Sequence, residues 1–231
     1  MIKSILSLFL NMTQKRLPDS NSLISEIPDK IKKMKRRNYI ILMMYSGRNY
    51  YGMQRLKDFP SIEEELLKAF LKADLITEMN YGNLPSIRFQ RCSKTDRSVS
   101  ALGQLVSANL NEEINDQVGT LNNLLPDDIR ILDVFRGTKN FNAKSLCESR
   151  EYIYIMPSYA ISKDFTLPEN DLASTRITAS QITDFNDILS NYIGTKFYYN
   201  FTSGRASNDQ SCNRYITKVE CGDPFLIEDQ K

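Results

Sequence analysis

The chain has 231 residues, of which 41% are hydrophobic, so it can bury a sizeable core in one large domain or two small ones. Its formal net charge is only +2, so any nucleic-acid surface must come from local clusters of lysine and arginine. No histidine is present, which excludes Ser-His and Cys-His nucleophile systems and mixed Cys/His metal sites.

The four cysteines, Cys92, Cys147, Cys212 and Cys221, lie far apart and form no Cys-x-x-Cys pair. This spacing favours a reducing intracellular compartment and indicates no metal site. No apolar run approaches the roughly 20 residues that span a bilayer, so we expect no membrane segment.

Residues 1–37 are expected to form a disordered N-terminal extension that becomes basic toward its end. The apolar stretch 1–10 has some features of a signal or transit peptide, but no small-residue cleavage site follows it. Pro18 and Pro28 then break any long helix. The basic block 30–37 has three interpretations: a nuclear localisation signal, a phosphate-contacting arm or a solvated tail.

The first predicted strand is the apolar run 39–45, which ends in a Ser-Gly-Arg-Asn turn. A helix is predicted over 61–71, with Ser61 as N-cap and Glu64 closing a capping box. The apolar residues of this helix fall on one stripe: Ile62, Leu66, Ala69 and Phe70.

A short basic and hydroxyl-rich run, 91–104, lies between two predicted strands, 87–92 and 105–110. Its one carboxylate, Asp96, is flanked by a lysine and an arginine, whose positive charge would favour its ionised form, the state that a nucleophile or general base needs. A turn aspartate beside solvated cations is the other interpretation of this pattern. At a strand edge, a rigid sheet can present the carboxylate in a cleft.

The rest of the chain predicts further elements of both kinds. A helix over 114–125 ends at the Leu-Pro segment 125–131, and a strand running to Phe135 follows. Alternating tyrosine and isoleucine at 152–156 predicts a strand whose tyrosines share one face. Segment 158–178 shows no period and is interpreted as a variable insertion, and 180–192 reads as an amphipathic helix.

Residues 94–105 read Lys-Thr-Asp-Arg-Ser-Val-Ser-Ala-Leu-Gly-Gln-Leu. This run resembles the catalytic loop of the TruA-type tRNA pseudouridine synthases, Arg-Thr-Asp-Lys/Ala-Gly-Val-His/Ser-Ala followed by Gly-Gln-Val. Ser100 stands where bacterial members carry histidine, which places the chain closer to the eukaryotic pseudouridine synthase 1 branch. Other segments resemble the family in the family's order, at 50–54, 123–131, 150–154, 194–202 and 223–225.

The resemblance implies an α+β pseudouridine synthase fold, with a mixed or antiparallel sheet flanked by helices and a central RNA-binding cleft. It implies one subdomain over 38–146, carrying the aspartate loop, and a second over 147–231. The implied activity is isomerisation of uridine to pseudouridine in tRNA, or in other RNA, without a metal or organic cofactor. The nucleus is the expected compartment, with the cytoplasm or an organelle as alternatives.

The resemblance also implies roles for individual residues. Asp96 would be the essential carboxylate, either attacking the ribose or assisting glycosidic cleavage. Lys94 and Arg97 would contact phosphate or the flipped nucleotide, and Tyr152 would stack on the base. Gln54 is expected near the RNA-facing side.

Three departures from the family pattern are visible. Lys94 replaces an arginine and so lacks the planar guanidinium fork. Ser98 replaces a glycine, which costs strain if the position needs a positive φ. The sequence ends at Lys231, before the family's C-terminal arginine-containing segment, so we expect an incomplete second subdomain. The alternative function is therefore a catalytically inactive RNA-binding relative or fragment.

Overall fold

The computed structural model describes residues 35–111, 117–161 and 176–226. The chain divides into two units, 1–150 and 151–231, which are described separately below. Several predictions lie outside the described residues: those for 1–34, for most of the insertion, for the start of the helix at 114–125, and for the last five residues of the chain.

The first unit contains a four-stranded antiparallel sheet in the order β2-β3-β1-β4. In this sheet, β1 pairs with both long strands, so that Ile41 lies opposite Val106 on one side and Val134 on the other. The strands predicted at 39–45 and 105–110, and the strand predicted to run to Phe135, are thus confirmed, and an α+β architecture is present. The strand bounds are β1 Arg36–Tyr45, β2 Gln90–Arg91, β3 Ala101–Asn111 and β4 Ile129–Arg136.

The core of this unit lies between the sheet and helix α1, Ile62–Lys72. Alternate residues of β1 contribute to it, as period-two patterning requires. The predicted helical stripe is confirmed, because its four apolar residues are at most 1% exposed. The buried residues that β1 contributes are Tyr39, Ile41, Met43 and Tyr45.

The N-terminus of α1 differs from the prediction in one respect. Ser61 is the N-cap as predicted, with its Oγ accepting a hydrogen bond from the Glu64 amide at 3.4 Å. The capping box does not close, because the Glu64 carboxylate instead pairs with the Arg55 guanidinium and accepts a hydrogen bond from the Tyr81 hydroxyl. The Glu64 carboxylate thus binds Arg55 and Tyr81 instead of the backbone amide of Ser61.

The strand predicted over 87–92 is wrong in its first half. Leu84–Ile87 forms a single 3₁₀ turn, and Arg88 follows with a φ of +51°, in the left-handed region. Extended backbone therefore begins only at β2. The other helices of this unit are α2, Glu78–Gly82, and α3, Gln117–Leu124.

The second unit contains helix α4, Ala179–Ser190, which confirms the helix predicted at 180–192. A two-stranded antiparallel ribbon follows, made of β5, Gly194–Phe197, and β6, Asn213–Ile216. None of the described helices in either unit is long and apolar enough to cross a membrane.

The strand predicted at 152–156 does not form, since no described residue pairs with this segment in a sheet. Both of its alternating faces are exposed: Tyr152 is 69% exposed and Ile153 is 65% exposed. The pattern is typical of a strand, but a strand needs a neighbour for its backbone groups.

A buried ion pair joins α1 to β2. Glu63 is fully buried, and its Oε1 accepts a hydrogen bond from Arg91 Nη1 at 2.8 Å. Its Oε2 accepts one from the Arg55 amide, also at 2.8 Å. Burial raises the pKa of the Glu63 carboxyl, and the Arg55 amide and the Arg91 guanidinium partly offset that rise.

We predict that Arg91→Met lowers the free energy of unfolding by about 3 to 5 kcal/mol, because it leaves the Glu63 carboxylate buried without its cation. Urea denaturation measures this. Lys68→Met is the matched control, because Lys68 pairs with Glu65 at 2.8 Å on the surface and its loss should cost less than about 1 kcal/mol. Equal effects of the two substitutions would contradict the assignment.

Candidate active site

Asp96 lies in the connection between β2 and β3, as predicted. This connection, the Asp96 loop (residues 93–100), lies against the 46–54 loop that follows β1. Two backbone hydrogen bonds join the loops: Met53 N donates to Thr95 O at 3.0 Å, and Ser98 N donates to Tyr50 O at 3.1 Å. The backbone on both sides of Asp96 is therefore held by the 46–54 loop.

Two glycines allow the backbones to approach this closely. A Cβ on Gly47 would lie 2.1 Å from the Val99 carbonyl oxygen. A Cβ on Gly52 would lie 2.7 Å from the Thr95 carbonyl oxygen, and Gly52 also has a φ of +118°, which favours glycine. Any larger residue at either position would separate the loops.

Hydroxyl groups add two further contacts between these loops and the end of β1. The Tyr45 and Thr95 hydroxyls are hydrogen-bonded at 2.7 Å. The Gly47 amide donates to Ser100 Oγ at 3.0 Å. Ser100, which stands where bacterial members of the family carry histidine, thus accepts a hydrogen bond that holds the two loops together.

The segment before β4 holds the 46–54 loop from another direction. The Tyr50 hydroxyl donates to Asp128 Oδ1 at 2.7 Å, and Ser46 N donates to Asp128 O at 2.8 Å. Burial and this hydrogen bond raise the pKa of the Tyr50 phenol, which therefore stays a donor at neutral pH. Sequence analysis missed this partnership, because Asp128 lies 78 residues away with no local signal.

The Asp96 side chain itself is exposed. Within the described parts of the chain, nothing donates a hydrogen bond to its carboxylate or pairs with it. Ser98 has a φ of +63°, which confirms that a residue in the left-handed region occupies the position where the family carries glycine. The loop thus fixes the backbone of Asp96 and leaves the carboxylate open to a ligand.

The other predicted site residues of the first unit lie around this loop. Lys94 is exposed, and its charge is close enough to Glu63 to lower the pKa of that carboxyl. The Arg97 guanidinium carbon lies 4.5 Å from the centre of the Tyr51 ring. Gln54 is exposed and lines a surface concavity of about 950 Å³. Lys94 and Arg97 thus lie on the Asp96 loop itself, and Gln54 lies at the end of the 46–54 loop that packs against it.

Residues at the base of the loop complete its support. Arg150 Nε donates to the Cys92 carbonyl oxygen at 2.9 Å. The Cys92 thiol donates to Gln104 Oε1 at 2.8 Å, and Gln104 Nε2 donates to Ser93 O at 2.9 Å. Burial raises the pKa of the Cys92 thiol, so it acts as a neutral donor rather than a nucleophile.

Tyr152 belongs to the second unit, where its side chain is exposed. Its place beside a base in the active site stays a prediction. Among the described residues, no group of three or more Cys, Asp or Glu side chains is arranged to hold a metal ion.

No protein-family model matches the chain. The chain is 37% identical to the pseudouridylate synthase 1 homolog of Mus musculus, over 85% of this chain and 47% of that protein. Its identity to tRNA pseudouridine synthase 1 of Saccharomyces cerevisiae is 25%, over 85% of this chain and 50% of that protein. The chain spans about half the length of the relatives it matches. Over the part of those relatives that the chain spans, its resemblance to the eukaryotic pseudouridine synthase 1 branch is confirmed.

We predict that Gly47→Ala lowers the free energy of unfolding by about 2 to 3 kcal/mol, because the new methyl group overlaps the Val99 carbonyl oxygen and must separate the loops. Gly82→Ala is the control, since a Cβ on Gly82 meets nothing within 4 Å and should change stability by at most about 1 kcal/mol. Urea midpoints compare the two variants, and a stability loss shared by both would contradict the close approach.

Ser98→Gly should act in the opposite direction. It removes the strain of a serine in the left-handed region, about 1 to 2 kcal/mol. Part of this gain is lost because glycine raises the conformational entropy of the unfolded chain. We expect a net gain of about 0.5 to 1 kcal/mol in a urea titration. Ser145→Gly, at an exposed position without a positive φ, should instead lose about 0.5 kcal/mol. A loss in both variants would show that Ser98 is unstrained.

Proposed function

We propose, from the homology of this chain to the eukaryotic pseudouridine synthase 1 proteins, that it catalyses the isomerisation of uridine to pseudouridine in tRNA. The observation that carries the proposal is the 37% identity to mammalian pseudouridylate synthase 1 homologs over more than four fifths of the chain. The geometry of the Asp96 loop supports it, because the loop presents an exposed carboxylate on a backbone that is hydrogen-bonded on both sides.

The reaction breaks the bond between N1 of uracil and C1′ of the ribose, rotates the ring and forms a bond between C5 and C1′. The hydrogen on C5 is released as a proton, and N1 takes up a proton in exchange. Asp96 serves either as a nucleophile toward the ribose or as the group that assists glycosidic cleavage. Its exposed carboxylate on a constrained backbone suits both routes.

The remaining predicted residues would bind the substrate. The charges of Lys94 and Arg97 would contact the phosphates or the flipped nucleotide on either side of Asp96. Tyr152 would stack on the extruded base, and the amide of Gln54 would face the RNA. The RNA-binding cleft that the resemblance implies would have the Asp96 loop as part of its wall.

Release of tritium from tRNA that carries 5-tritiated uridine tests the proposal, because the new bond at C5 displaces that hydrogen. We expect release by the 231-residue chain. Asp96→Asn, which removes the charge at constant shape, should reduce release by at least about 100-fold while tRNA binding stays within a few-fold.

Asp187→Asn is the matched control, because Asp187 is also exposed, loses the same charge and lies on α4, away from the residues given a role here. It should release tritium at the unaltered rate. Activity that persists in Asp96→Asn would refute the role of this carboxylate. A folded, tRNA-binding chain that releases no tritium would refute the synthase and favour a non-catalytic RNA-binding protein.

A further inference from the structure

An exposed aromatic pair lies beside the Asp96 loop. The rings of Tyr51 and Phe59 have centres 4.5 Å apart and planes inclined by 32°. The Arg97 guanidinium carbon lies 4.5 Å from the Tyr51 ring centre, so an arginine and two aromatic side chains form one group. We call this group the Arg97 stack, and none of the roles derived above accounts for Tyr51 or Phe59.

The Arg97 stack is a surface feature rather than part of the core. Phe59 is 51% exposed and Tyr51 is 38% exposed, whereas most of the large apolar side chains of α1 are fully buried. Leaving two aromatic rings in water forgoes the stabilisation that burial would give. Exposed aromatic groups of this kind mark binding surfaces when charged residues accompany them.

Hydrogen bonds hold the backbone at both ends of the segment that carries the stack. Tyr51 N donates to Pro60 O at 2.9 Å, which closes the segment that carries both rings. Ile62 N and Glu63 N, in the first turn of α1, donate to Gly52 O at 3.2 Å and Met53 O at 3.0 Å. A ligand that stacks on these rings would therefore pay little conformational entropy for ordering the two ends of this segment.

The charge at this site favours a nucleic-acid ligand. Arg97 holds its guanidinium against an aromatic face, and the exposed side chains of Arg48 and Lys94 lie on the same two loops. Proteins that bind single-stranded nucleic acids without sequence preference use aromatic rings together with arginine, because every base has a face that can stack on a ring.

We propose that the Arg97 stack binds an unpaired nucleotide of the RNA next to the target uridine, with its base on Phe59 and its phosphate near Arg97. This inference rests on the proposed function. Because Arg97 directly follows Asp96 in the chain, an RNA strand whose target nucleotide contacts Asp96 passes the stack. The stack thus fixes the register of the strand and favours targets with an unpaired neighbour.

Fluorescence anisotropy with a dye-labelled single-stranded oligouridylate tests the stack without requiring catalysis. Phe59→Ala should weaken binding of this probe by about tenfold, which is within the range that one base–aromatic stack provides. Phe59→Tyr keeps an aromatic face and should restore binding. Met79→Ala is the control, because Met79 is 81% exposed on α2 and should leave binding unchanged.

Unchanged binding in Phe59→Ala, or equal weakening in Met79→Ala, would overturn the inference, as would failure of Phe59→Tyr to restore binding. Urea midpoints of the variants show whether each is folded. Tritium release by the unaltered chain is scored separately. Loss of probe binding in Phe59→Ala without tritium release would refute the synthase and keep the stack as an RNA contact.

Discussion

The direct approach of two backbones, that of the 46–54 loop and that of the Asp96 loop, is the constraint on which the site depends. Gly47 and Gly52 make it possible because neither carries a Cβ where the opposing carbonyl oxygen lies. The backbone of Asp96 is held by hydrogen bonds of its neighbours, and among the described residues its carboxylate has no partner. The carboxylate therefore keeps all of its acceptor positions for a ligand, and the backbone that carries it loses little entropy when one binds.

The same contacts connect the loops to the rest of the first unit. The 46–54 loop accepts hydrogen bonds from the first turn of α1, and that turn carries Glu63. Glu63 is paired with Arg91 of β2, the strand that leads directly into the Asp96 loop. The strand β2, the two loops, the helix α1 and the Glu63–Arg91 ion pair are therefore connected to one another in a ring of contacts. Displacement of any one member would move the backbone of Asp96, although only the loops lie next to it.

Much of this arrangement could be predicted from sequence, because it depends on local pattern. The continuous apolar run 39–45 predicted β1, and the one carboxylate in a basic run indicated the loop between strands. The capping box at Glu64 and the strand at 152–156 were wrong for a shared reason, since each depends on partners that no local pattern encodes. The Glu64 carboxylate found Arg55 and Tyr81 instead, and the segment at 152–156 has no neighbouring strand in the described structure. The contact of Arg97 with Tyr51 was missed because 46 residues separate them.

Two departures from the family's loop sequence have different physical consequences. Ser98 lies in the left-handed region, so serine in place of glycine lowers the stability of the folded chain but changes no group that faces a ligand. Lys94 is exposed and keeps its charge, so the change affects binding of a ligand, because a lysine ammonium replaces the planar guanidinium of arginine. The hydrogen bonds from Met53 and Ser98 to the opposite loop persist despite the strain. The loop is therefore shaped by its surroundings more than by its own sequence, and it can tolerate an unfavourable residue without releasing Asp96.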